Sequence, residues 1–175
     1  MAEQTVVFKE GDPIVHPNHG AGRIVSIKTW EINGVTRQYY NIELMNDHGM
    51  LMIPIEQAEE AGLRRATVDS ERLTAVLNSE PNELDGDHRK RQADIAERIH
   101  SGDAELVTEA LRDLAWREHT GNLTERDQKL KAEAEALVIG ELALQPDLDL
   151  DSATHHLHEQ LREALDARQP AEDEE

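Results

Sequence analysis

The sequence predicts an α+β chain in which a small antiparallel β module of barrel type precedes an all-α region. Three observations carry that expectation. Residues 24–30 and 40–44 alternate with the period of two expected of half-buried strands. Asn33-Gly34 stands between strand-like runs, and that dipeptide is the strongest short hairpin signal because both turn positions need positive φ. After about residue 66 the apolar residues change to helical spacing.

In the first part, strict alternation sets Val25, Ile27 and Thr29 on one face and Ile24, Ser26, Lys28 and Trp30 on the other. Tyr40, Ile42 and Leu44 oppose Asn41 and Glu43 in the next run. Asp47-His48-Gly49 reads as a second tight connection. Met50 to Ile53 then ends at Pro54, which cannot donate to a sheet ladder. Gly20 and Gly22 suit a sharp bend between strands.

The helical part is punctuated by caps and breakers. The segment around Asp69 to Leu77 sets Val68, Leu73, Val76 and Leu77 at helical spacing, and 78–86 with Pro81, Asn82 and Gly86 reads as a loop. Asp87 can cap a helix bearing Ile95, Ala96 and Ile99. Ser101-Gly102-Asp103 ends it and starts another, whose Val107, Ala110, Leu111 and Leu114 form one buried stripe closed by Gly121. Thr124 to Asp127 resembles a capping box for a helix burying Leu130, Ala134, Leu137, Val138 and Leu142. Ser152 to about Ala167 is a last amphipathic helix, and 169–175 reads as a disordered acidic tail. The expected domains are therefore 1–66 and 67–168.

Composition restricts function. The absence of Cys excludes disulfides, thiolate metal sites and a Cys nucleophile. No apolar run reaches the 18 residues of a membrane span, and the N-terminus lacks signal-peptide character, so a cytoplasmic chain is expected. The net charge is -19. Residues 1–65 carry 6 Lys/Arg against 9 Asp/Glu, residues 66–145 carry 10 against 18, and residues 146–175 carry 2 against 10. Such a chain is repelled by nucleic-acid phosphates except where cations cluster. No phosphate-binding loop, dinucleotide fingerprint, zinc-protease motif or nucleophile elbow occurs, so neither an enzyme nor a cofactor is expected. His155, His156, His158 and Glu159 share one amphipathic helix, where surface histidines are expected in preference to a metal site.

An ordered set of short motifs resembles the CarD/CdnL family of bacterial transcription regulators. These are Phe8-Lys9-Glu10-Gly11-Asp12, His16 to Gly20, Met52-Ile53-Pro54, Gly62-Leu63-Arg64, Ser101-Gly102-Asp103, Glu109 to Leu114 and Gly140-Glu141-Leu142-Ala143-Leu144. Together they span roughly residues 7–165. The resemblance implies a Tudor-like β-barrel that binds the RNA polymerase β subunit. It also implies a helical domain at the upstream edge of the promoter bubble, the two stabilising the open complex. Contact with promoter DNA would be weak and polymerase-dependent, and the chain a monomer.

The resemblance places Met52 and Pro54 at the polymerase, and Trp30 where some relatives carry a polymerase-touching Arg. The alternative is that Met52 and Trp30 belong to the core of the sheet. It also places Lys90 and Arg91, with Arg89 beside them, at DNA phosphates. The alternative there is a solvated face in which Asp94 neutralises Arg91 and Arg98. Relatives commonly have a Trp before this basic stretch, and here the position is His88. A competing reading is a polymerase-bound adaptor without DNA contact. His16 and His19 are expected to be structural.

Overall fold

The computed structural model describes residues 8–46 and 49–168. Five strands come first: β1 (Pro13–His16), β2 (Gly20–Ile32), β3 (Val35–Leu44), β4 (Met50–Pro54) and β5 (Arg64–Arg65). Five helices follow: α1 (Ser70–Asn78), α2 (His88–Ile99), α3 (Ala104–Thr120), α4 (Glu125–Leu142) and α5 (Leu150–Asp166). The α+β class holds. The sheet is antiparallel with order β4-β3-β2-β1-β5. No pairing joins β4 to β5 among the described residues, so the sheet is open and resembles a Tudor barrel only approximately. The expected turn at Asp47-His48 and the tail at 169–175 lie outside the described residues.

Local chemistry explains most boundaries. Asn33 (φ 54°) and Gly34 (φ 76°) form the left-handed pair that a two-residue hairpin requires. Asp69, Asp87, Asp103, Thr124 and Asp149 cap the five helices by accepting bonds from their first free amides. Thr124 and Asp127 form the reciprocal capping box. The last helix starts two residues before the expected Ser152 because Asp149 provides its cap, accepting from the Ser152 amide at 2.7 Å.

One strand expectation is corrected. Ile24 pairs with Ile42, yet Ser26 pairs with Asn41, so Val25 is an extra bulged residue. The bulge shifts the alternation. Ile24 and Ile27 therefore share the inner face with Tyr40, Ile42, Leu51 and Ile53, while Val25 is exposed.

There are two apolar cores. One fills the sheet's inner face around Ile14, Ile24, Tyr40, Ile42 and Ile53. The other joins the helices through Leu73, Ile95, Leu111, Leu114, Leu130 and Leu157. Val15, Ala21 and Leu144 form a small cluster where the sheet meets the C-terminal end of α4. Gly140 allows this close approach, since an added Cβ would lie 3.2 Å from Asn46 and 3.4 Å from Ala21. Beside it, buried Glu141 takes both guanidinium branches of Arg64 (2.8 and 3.0 Å) and the amides of Thr67 (2.7 Å) and Val68 (3.2 Å). Arg23 adds a bond to the Leu144 carbonyl at 2.7 Å.

Replacing Glu141 leaves a guanidinium and two amides without their acceptor at a buried junction. Glu141→Ala is expected to cost about 3 kcal/mol, read as a lower midpoint in urea unfolding of the full chain.

Candidate functional site

Two regions carry the expected site residues, one on the sheet and one at the far end of the helical bundle. On the sheet, the register groups Ser26, Lys28, Trp30 and Ile32 of β2 with Arg37, Tyr39 and Asn41 of β3 on the outer face. Met50, Met52 and Pro54 of β4 complete that face. Tyr39 pairs with Lys28 on one side and Pro54 on the other, and Asn41 pairs with Met52. Trp30, Met52 and Pro54 thus fall on one surface. Trp30 is 46% and Met52 45% exposed, Pro54 is half-buried, and Met50, Ile32 and Val35 are also exposed. The core alternative for Trp30 and Met52 does not hold. Among the described residues β4 is an edge strand, and its outward main-chain groups have no strand partner there. The β2–β3 hairpin continues beyond the last β4 pairing and carries Trp30, Ile32 and Val35 outward.

In the bundle, His88, Arg89 and Lys90 are exposed on the first turn of α2. Arg91 is not with them. Its side chain is 2% exposed and pairs with the fully buried Asp127 at 2.9 Å. It also donates to the Asp85 carbonyl at 3.1 Å. The expectation that Arg91 meets phosphate is therefore corrected, because its charge is spent inside the fold. Asp94 does not pair with Arg91 either. It pairs with Arg98, whose other branch meets Asp113. Asp113 also receives Arg112 and both nitrogens of Asn82, which fixes the loop between α1 and α2.

The electrostatics of Asp127 follow from these contacts. Burial alone would raise its pKa, but bonds from Arg91, from the Thr124 amide and hydroxyl, and from Gln92 outweigh it and hold the carboxyl at about 2. His16 moves down from its ordinary range, first through burial and then through the neighbouring His19. Its Nδ1 accepts from the amides of Asn18 (3.1 Å) and His19 (3.2 Å), which only an unprotonated Nδ1 can do. His16 is thus structural. His158 pairs with Glu135 on α4. Among the described residues no group of three or more His, Asp or Glu is arranged to hold a metal ion, and no helix is long and apolar enough to cross a membrane.

Comparison with known proteins supplies the identity of this arrangement. The family described as "CarD-like/TRCF RID domain" matches residues 8–67, and "CarD, C-terminal domain" matches residues 72–158. The chain belongs to the CarD family. It is 25% identical over 138 residues to the Bacillus subtilis (strain 168) protein named "Putative transcription factor YdeB", covering 78% of this chain and 90% of that one. It is 42% identical over 50 residues to the Transcription-repair-coupling factor of the same organism. That match covers 29% of this chain and 4% of the much longer relative. Transcription regulation is the business of this family.

Reading the sequence for function overlooked Glu141 and Asp127, although both stand in places with a signal. Glu141 lies within the family-like Gly140 to Leu144 motif, and Asp127 within the capping box. A carboxylate between apolar residues at core spacing is the sign of a buried acid awaiting a partner.

Two outcomes follow for pH. The pKa of Asp127 is depressed in the fold, so its contribution is complete above about pH 4 and is lost as pH falls through 2. Acid unfolding should show a loss of about 2 kcal/mol across that window, absent from Asp127→Asn, which starts less stable. Protonation of His16 is disfavoured by the fold, so its contribution is present above pH 6.5 and declines as pH falls below it. His16→Gln should flatten that decline in thermal melts between pH 7.5 and 5.

Proposed function

We propose that this chain is a cytoplasmic, non-enzymatic transcription regulator acting as a monomer. Its β module, residues 1–66, docks on the RNA polymerase β subunit, and its helical module, residues 67–168, reaches promoter DNA so that the open complex is favoured. One observation carries the reading. Trp30, Met52 and Pro54, the residues that the family resemblance assigns to polymerase, share the outer face of the sheet at its free β4 edge. An apolar patch beside a strand edge that has no partner among the described residues suits strand addition, with main-chain bonds for affinity and side chains for selectivity. Trp is the best anchor residue and Met the most adaptable one.

The DNA half rests on His88, Arg89 and Lys90 at the start of α2. With Arg91 and Arg98 committed to Asp127 and Asp113, Arg89 and Lys90 are the only cations left in that cluster. Two phosphate contacts give weak binding with a shallow salt dependence. Tethering through the sheet compensates by raising the local concentration at DNA. The same withdrawal of arginines favours the second reading, an adaptor that holds polymerase and leaves DNA untouched.

In co-purification and titration with polymerase, full-length Met52→Asp is expected to bind at least about tenfold more weakly, since a charge enters an apolar contact. Wild-type affinity for that variant would sink the docking face. Arg89→Glu with Lys90→Glu is expected to keep polymerase binding and lose polymerase-dependent promoter binding. Promoter binding unchanged by the double substitution would select the adaptor.

A further inference from the structure

The chain has no Cys and four Met, so methionine holds all of its sulfur. Met1 lies outside the described residues. Met45 is half-buried and packs against both the helical core and the Val15 cluster at the junction. The other two stand together on β4, where Met50 is 58% and Met52 45% exposed. Strand alternation separates them from their neighbours. Leu51 and Ile53 turn into the core of the sheet, so hydrocarbon lines the inner face while both thioethers lie on the outer one. Directly across the ladder, Met50 faces Glu43 and Met52 faces Asn41. Both partners are polar, so a polar group added to either sulfur meets no apolar side chain directly opposite.

A thioether is the group that two-electron oxidants attack most readily in a chain without thiols. A hydroperoxide transfers one oxygen atom to the sulfur. An S–O bond forms, the O–O bond breaks, the sulfur gives up two electrons, and the peroxide leaves as water or an alcohol. The product, methionine sulfoxide, is polar and chiral where the thioether was apolar. On the outer face of the free chain it is solvated without disturbing the core or the main-chain ladder. Against an apolar partner the same oxygen must lose its water, which weakens the contact. One reaction thus leaves the fold intact and changes the docking face.

We propose that Met50 and Met52 form an oxidation site through which hydroperoxides release the β module from its partner. Sulfoxide at these positions withdraws the chain from polymerase. A dithiol-dependent methionine sulfoxide reductase returns it: the sulfoxide oxygen leaves as water and the two thiols become a disulfide. Docking covers both sulfurs, so the bound chain is protected and the free chain is the sensitive form. The inference rests on the reading that the outer face of β4 meets polymerase.

The test treats full-length chain with hydrogen peroxide, removes the peroxide, locates each sulfoxide by peptide mass mapping and titrates the product with polymerase. Met50 and Met52 are expected to oxidise severalfold faster than Met45, and polymerase added before the peroxide should slow them without slowing Met45. The oxidised chain should keep its thermal midpoint and bind polymerase at least about tenfold more weakly. Sulfoxide reductases for both epimers, with dithiothreitol, should restore the affinity. The Met50→Leu/Met52→Leu chain should bind within about twofold of wild type and keep that affinity after peroxide, and each single Leu variant should show part of the loss. Full affinity after both methionines are oxidised, or an equal loss in the double variant, overturns the inference and leaves the docking face standing. So does oxidation of Met45 as fast as the outer pair, or a lowered thermal midpoint, which would make the loss one of unfolding. An untreated chain that fails to bind polymerase removes the docking reading and this inference with it.

Discussion

The buried carboxylate of Glu141 fixes how the two parts of this molecule stand to each other. It sits where α4 meets the sheet, and it closes four bonds to Arg64, Thr67 and Val68. A charge in such a place is tolerated only when its lone pairs are filled, and here they are. The same short stretch provides Gly140, which lets β2 approach, and Leu144, whose carbonyl takes Arg23. On the proposed function, the outer face of the sheet and the start of α2 act together only if the distance between them is constant. This junction keeps it so.

A second theme is the use of arginine inside an acidic protein. Arg91 with Asp127, and Arg112 and Arg98 with Asp113, are placed in or at the edge of the helical core. Each of these arginines also reaches main-chain carbonyls or a second acid, so the forked guanidinium organises several segments at once. The loop between α1 and α2 is shaped from beneath by these side chains. Arg89 and Lys90, exposed on the first turn of α2 just after that loop, are the cations of the basic stretch that remain once Arg91 is paired internally.

What could be read from the sequence was what depends on near neighbours. Asn33-Gly34, Asp87, Asp103 and the Thr124–Asp127 box announce their turns and caps because the bonding partners lie within three residues. The Val25 bulge was not legible, since alternation through Ile24 to Trp30 looks unbroken until the partner strand is known. Arg91 misled for the same reason. In sequence it stands among basic residues, whereas its acid lies 36 positions away. Alternation showed that one of the pairs Met50/Met52 and Leu51/Ile53 faces outward, but only the register and burial showed that it is the methionines and that Trp30 lies on the same side. The open form of the sheet depends on which strands fail to meet, and no local pattern encodes that.

The scarcity of free positive charge also bears on where this protein dwells. Free in solution, a chain of net charge -19 is pushed away from any polyanion. The two exposed cations at the start of α2, Arg89 and Lys90, cannot reverse that field beyond about a Debye length in physiological salt. Such a charge balance disfavours unassisted binding along DNA. On the proposed function, nucleic acid is brought to the chain by the partner that holds the sheet, so the choice of address belongs to the carrier.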